Sequence, residues 1–126
     1  MTIAEVSKIM DISADTLRYY ERIGLIPPVK RTKSGIRDYG EKDLGWVGFA
    51  KCMRGAGISI EALIEYVSLF QQGDDTITTR KQILIDQRDE LIKKIEEMQG
   101  TLEYLNTKLE HYEDTLVPKE RELAEE

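Results

Sequence analysis

Cysteine occurs once in this sequence, histidine once, tryptophan once, phenylalanine twice and proline three times, and each scarcity removes a class of function. A lone thiol cannot form an internal disulfide, which fits a reducing compartment, and the chain is expected in the cytoplasm. One thiol also cannot supply the four ligands of an iron–sulfur cluster, so neither metal nor cofactor is expected. No apolar run approaches the roughly 20 residues that span a bilayer, and the N-terminus lacks a secretion pattern, so no membrane partner is expected. Nucleophile–base pairs and glycine-rich phosphate cradles are missing too, and no enzyme is expected. The adjacent acids Asp74 and Asp75 read as a solvated, helix-capping turn.

What is present is unevenly divided. The net charge is −6, yet residues 1–54 hold ten Lys/Arg against seven Asp/Glu, a net of +3, and residues 55–126 carry −9. A basic head and an acidic remainder imply two tasks. At 126 residues with 40% hydrophobic content, there is room for one small domain and an extension.

Thr2-Ile3-Ala4-Glu5 is a capping-box pattern opening a first helix with Ile3, Val6 and Ile9 or Met10 on one stripe. Asp11-Ile12-Ser13 is a turn, and Ser13 caps a second helix to about Ile23. This spacing matches a helix-turn-helix, although an ordinary helical hairpin reads the same way. The next segment decides between them. After Gly24 and the Pro27-Pro28 corner, two strand-like stretches, Val29–Thr32 and Ile36–Tyr39, flank Lys33-Ser34-Gly35. This hairpin carries Lys30, Arg31, Lys33 and Arg37, and the second helix presents Arg18, Tyr19 and Arg22. Cations neutralise phosphates with release of counterions, and tyrosine hydroxyls donate to phosphate oxygens. The combination predicts a winged helix-turn-helix that grips DNA.

Two further helices follow, Glu41 to about Arg54, with Trp46, Phe49 and Cys52 at i, i+3, i+6, and Ile60 to about Gln72, capped by Ser59. The last helix, from Thr78 or Thr79, carries Leu84, Arg88, Leu91, Ile95, Met98, Leu102, Leu105, Leu109, Tyr112 and Leu116 in alternating steps of four and three. That is a coiled-coil seam, interrupted by one charge. A helix from Thr79 to Tyr112 measures roughly 50 Å. The chain has no second heptad helix to cover it, so self-dimerisation is expected through Leu84, Leu91, Ile95, Met98, Leu102, Leu105 and Leu109. Pro118 is expected to end the helix, leaving Lys119–Glu126 as a frayed charged tail. The fold class is therefore mainly α: a winged helix-turn-helix head, a helical pair and a long antiparallel coiled-coil dimerisation helix. The expected divisions are residues 1–75, 76–117 and 118–126.

The residues Thr16-Leu17-Arg18-Tyr19-Tyr20-Glu21-Arg22, Gly24-Leu25-Ile26-Pro27 and Gly35-Ile36-Arg37-Asp38-Tyr39 resemble the MerR family of bacterial transcription regulators. The resemblance covers essentially the whole chain. It implies a homodimer on a pseudo-palindromic operator inside an over-long promoter spacer, which the protein bends and untwists so that RNA polymerase engages both promoter elements. RNA polymerase is then an indirect partner, through double-stranded promoter DNA. By position, Thr16, Arg18 and Tyr19 are expected at the major groove or its phosphates, and Lys33, Arg37 and Tyr39 at the flanking backbone. Tyr20 fits DNA contact or packing against the wing, and Glu21 fits orientation of an arginine or a solvated charge. Leu17, Ile23 and Leu25 read as core.

The same resemblance speaks to the signal. Metal-sensing relatives place two cysteines beyond the dimerisation helix, where this chain has none, and His111 alone reads as a solvated position. Multidrug-sensing relatives carry a large C-terminal ligand domain, for which no residues remain here. Cys52 is left, flanked by Lys51 and Arg54, and cations beside a thiol favour its reactive thiolate form. A single cysteine there is similar to the aldehyde- and electrophile-responsive branch, which implies S-alkylation as the input and transcriptional activation as the output. The residues alone favour a buried core cysteine beside Trp46, Phe49 and Met53, and it is the resemblance that points to a sensor. A non-covalent small ligand and an architectural dimer without input remain the alternatives.

Overall fold

The computed structural model describes residues 1–125; Glu126, the last residue of the expected tail, lies outside them. The elements are α1 (Ile3–Met10), α2 (Ala14–Ile23), α3 (Glu41–Gly55), α4 (Ile60–Gln72), a 3₁₀ turn (Asp74–Thr76), α5 (Ile77–Glu110), a π-helical turn (Tyr112–Leu116) and α6 (Val117–Ala124). Two compact units are present, Met1–Arg88 and Asp89–Glu126. The division expected at residues 75 and 76 therefore falls inside the first unit, which keeps the opening turns of α5.

Local chemistry sets the helix ends. The Thr2 hydroxyl accepts from the Glu5 N–H at 3.2 Å and the Glu5 carboxylate accepts from the Thr2 N–H at 3.1 Å, closing the capping box of α1. Ser13 Oγ accepts from the Thr16 N–H at 3.0 Å to open α2. Gly24 closes α2 at φ 85°, a left-handed conformation that costs glycine little. Val6, Leu17, Leu25, Ile26 and Val47 are fully buried, and Ala50, Leu63 and Val67 extend this core onto α3 and α4. Ile23, expected in the core, is half-buried at its edge. Where α1 crosses α3, Gly48 lets the Met10 methyl approach to within 3.3 Å of where a Cβ would sit.

Three sequence expectations change. The wing forms no named strand: its only pairing is one antiparallel bridge, Arg31 to Arg37, closed by Thr32 N–H to Ile36 O at 2.7 Å and Asp38 N–H to Lys30 O at 2.7 Å. The long helix starts at Ile77 because Thr76 Oγ1 donates to Leu69 O and Gly73 O, anchoring the turn that launches it. Pro118 does not stop a helix. The break falls seven residues earlier, at His111 (φ −110°, ψ 23°), and Pro118 lies in the first turn of α6, where its missing N–H has no helical partner to lose. Lys119 and the residues to Ala124 are thus helical, not frayed.

Candidate nucleic-acid interface

The outer face of α2 is built on two buried rows. Leu17 is inaccessible and Tyr20 is 7% exposed, while Arg18 and Tyr19, which fall between them in sequence, and Arg22, two residues beyond, reach solvent. Arg18 pairs with Asp15 one turn earlier at 2.9 Å, and both side chains are open to water. Such an exposed pair contributes little and can exchange for a phosphate. The Arg22 guanidinium lies over the Tyr19 ring at 5.5 Å. Thr16 is half-buried, with its hydroxyl 2.7 Å from that of Ser13. Its burial places Tyr20 as a packing residue; that burial raises its hydroxyl above its ordinary range, and the positive charge of Arg54 partly opposes this.

The wing adds exposed Lys30, Arg31 and Lys33, with Lys33 beside Gly35 at the tip, where φ is 86°. Arg31 donates to Gly35 O at 2.9 Å and closes the loop. Arg37 is different. It is half-buried, and its Nε donates to Glu21 Oε1 on α2, while the other Glu21 oxygen accepts from the Val29 N–H at 3.0 Å. Burial alone would raise the Glu21 carboxyl, but the bonds from Arg37 and Val29 and the charges of Arg37 and Arg31 together hold it below the usual carboxylate range.

Tyr39, expected to face the DNA backbone, is instead 1% exposed. Its N–H donates to Met1 O at 2.8 Å, its hydroxyl has no hydrogen-bond partner among the described residues, and burial pushes its ionisation upward. Its ring anchors the return arm of the wing in the core. Thr16, Arg18, Tyr19, Lys33 and Arg37 therefore stand on or beside an accessible basic face, and Tyr20 and Tyr39 support it from beneath.

Residues 2–39 match the family described as MerR family regulatory protein. The chain is 62% identical over 93 residues to the HTH-type transcriptional regulator AdhR of Bacillus subtilis (strain 168), a match covering 74% of this chain and 66% of AdhR, just under two thirds of that relative's length. A crystal structure of a MerR family transcriptional regulator from Listeria monocytogenes is 47% identical with a TM-score of 0.88, covering 99% of this chain and 95% of that one. The chain belongs to the MerR family. It is a DNA-binding transcriptional regulator and not an enzyme. A further solved relative, HiNmlR, described as a MerR family regulator lacking the sensor domain and bound to promoter DNA, is 32% identical with a TM-score of 0.80 and 92% of each chain covered.

The remaining expected residues of this MerR chain lie outside the α2–wing face. Cys52, in the last turns of α3, is exposed, which excludes the core-cysteine alternative within a single chain. Its flanking cations are committed to backbone carbonyls. Lys51 Nζ donates to Met10 O at 2.6 Å and Asp11 O at 3.0 Å, and Arg54 donates to Ile58 O at 2.7 Å. Lys51 thus ties α3 to the turn between α1 and α2, where Asp11 takes a left-handed φ of 51°. The link spans some forty residues of sequence and carries no local signal. On α5, Leu84 and Leu91 are half-buried, whereas Ile95, Met98, Leu102, Leu105 and Leu109 are 49–71% exposed. His111 is exposed at the helix break, and its carbonyl accepts from the Thr115 N–H at 2.9 Å. The described residues contain no group of three or more His, Cys, Asp or Glu arranged to hold a metal, and no helix among them is long and apolar enough to cross a membrane.

Sequence reasoning did not foresee an aromatic groove on α3 and α4. Trp46 meets Phe49 edge-on at 6.3 Å, Tyr66 at 6.2 Å and Phe70 at 4.8 Å, and the four rings line an open hollow with Gly45 and Lys42 at its rim. The i, i+3 spacing of Trp46 and Phe49 and the i, i+4 spacing of Tyr66 and Phe70 were its available signals.

Proposed function

We propose that this regulator works in the cytoplasm as a homodimer joined through α5, binds a promoter with its α2–wing face, and distorts the DNA so that RNA polymerase can use it. In this reading Arg18, Tyr19 and Thr16 meet the major groove or its phosphates, and Lys33 and Arg37 hold the flanking backbone. The dimer is supported by the exposed apolar stripe from Ile95 to Leu109, which exceeds what a lone surface helix needs and follows a coiled-coil repeat.

The input in this reading is an aldehyde or another thiol-reactive electrophile, acting at Cys52. The observation that carries it is a single cysteine, exposed on α3, in a chain that resembles the single-cysteine branch of the family. Exposure lets an electrophile reach sulfur. An added carbon unit on this exposed thiol meets solvent within one chain, so the strain that switches the protein has to arise where the modified residue faces a partner or DNA. A second reading, non-covalent capture of a small apolar ligand, is favoured by the groove of Trp46, Phe49, Tyr66 and Phe70.

Intact-protein mass spectrometry after exposure to formaldehyde and methylglyoxal, paired with transcription in vitro by wild type and Cys52→Ala, separates these readings. The covalent reading expects an adduct on wild type and a response lost in Cys52→Ala while DNA affinity is kept. An alanine variant that responds fully moves the sensor to the groove, and no response by either protein leaves an architectural dimer.

A further inference from the structure

The wing is a ribbon with too little pairing to orient itself. It holds one bridge, and that bridge sets Arg31 directly opposite Arg37, two like charges on facing arms. Short hairpins are marginal alone, and like charges across a ribbon destabilise it further. Buried Val29 and Tyr39 anchor its two ends, but the residues between them are almost all exposed. Only one side chain of α2 is seen to hold both arms. Glu21 accepts from the Val29 N–H on the outgoing arm and from Arg37 Nε on the returning arm, and its side chain is 13% exposed.

We infer that Glu21 is a positioning residue for DNA binding: its carboxylate fixes the angle between the α2 recognition face and the wing, and neutralises the Arg31–Arg37 crowding that would otherwise open the ribbon. Arg37 acts in part through this clamp, by placing Lys30, Arg31 and Lys33 along the flanking backbone. The inference rests on the assignment of the α2–wing face to DNA.

Its consequence runs against simple electrostatics. A carboxylate near a polyanion repels it, so a Glu21 that was merely a surface charge would bind DNA more tightly when neutralised. A clamp gives the opposite sign. Glu21→Gln keeps an oxygen for the Val29 N–H and loses only the charge pair, so the fold is retained while the wing is released.

The test uses the full chain and a duplex selected by wild type from random-sequence DNA. Affinity and hydroxyl-radical footprints are measured for wild type, Glu21→Gln, Arg37→Gln and the double variant, with circular dichroism to confirm unchanged helicity. Glu21→Gln is expected to bind roughly tenfold more weakly, as for loss of one charge-assisted contact, with protection lost at the flanks and kept at the groove read by α2. The double variant should be no worse than Arg37→Gln alone, because both changes break one clamp. Tighter binding, additive losses or intact flank protection in Glu21→Gln would overturn the role. Should Glu21→Gln lose helicity, Glu21→Asp, which keeps the charge but shortens its reach to Arg37 and Val29, decides in its place, by the same loss or retention of flank protection. A wild-type footprint without flank protection would instead refute the interface assignment itself, and the inference with it.

Discussion

The seam of α5 yields the most direct quantitative prediction. Leu102 and Leu105 retain 49% and 51% of their surface in the single chain. Fully burying a leucine is worth about 1.5–3 kcal/mol, so covering the half still exposed contributes roughly 1 kcal/mol per side chain. A two-fold pair presents each residue twice. Leu102→Ala with Leu105→Ala therefore strips four such contributions, on the order of 4 kcal/mol, which weakens dimerisation about a thousandfold. Sedimentation equilibrium across a concentration series measures this directly. Ile36→Ala is the control, since Ile36 is 58% exposed but sits in the wing, and its dimer constant should equal that of wild type. A Leu102→Ala/Leu105→Ala protein that dimerises as tightly as wild type would show that the partner helix does not lie on this stripe.

Other outcomes are equally specific. Arg18→Ala should weaken binding to the selected duplex and flatten the log–log salt dependence by about one unit if Arg18 contacts a phosphate, read from binding isotherms at several salt concentrations. Lys51→Met removes the charge-assisted bonds to Met10 O and Asp11 O and should cost about 1 kcal/mol, given their solvent exposure, in urea denaturation. Ser13→Ala should lose about 1 kcal/mol by removing the cap of α2, by the same assay. Because the Glu21 carboxyl is depressed in the folded state, its contribution is present at and above the ordinary carboxylate range and disappears as pH falls through the lower, folded value; affinity for the selected duplex in mildly acidic buffers should therefore hold steady until that range is passed.

The head was legible because its signals are local. Thr2 with Glu5, Ser13, and Gly24 each act within a few residues, and each appears where the pattern placed it. The long helix α5 was legible for a similar reason, since a heptad repeat is a property of one helix. What failed depends on neighbours remote in sequence. Tyr39 reads as an exposed wing tyrosine until Met1 and the core close over it. The Lys51 strut joins residues forty apart, and nothing near Lys51 announces it. Pro118 was misjudged because proline is compatible with a helix start and incompatible with a helix interior, and only the break at His111 reveals which applies. The wing pattern described two strands where one bridge forms, and the Glu21 carboxylate that accepts from Val29 and Arg37 lies on a different element, eight and sixteen residues away.

The π-helical turn at Tyr112–Leu116 has a bearing on length measurement. A π turn takes in an additional residue and slips the angular phase of everything after it. Tyr112 and Leu116, which continue the arithmetic of the seam in sequence, fall out of step with Leu109 once the helix passes His111. The stripe is thereby given a definite end. In the proposed antiparallel dimer each stripe starts opposite the point where the other stops, so two such ends act as a ruler: sliding by one heptad would lay an out-of-phase segment against an apolar stripe. In that proposed dimer, a defect in a helix would set the register of the two copies.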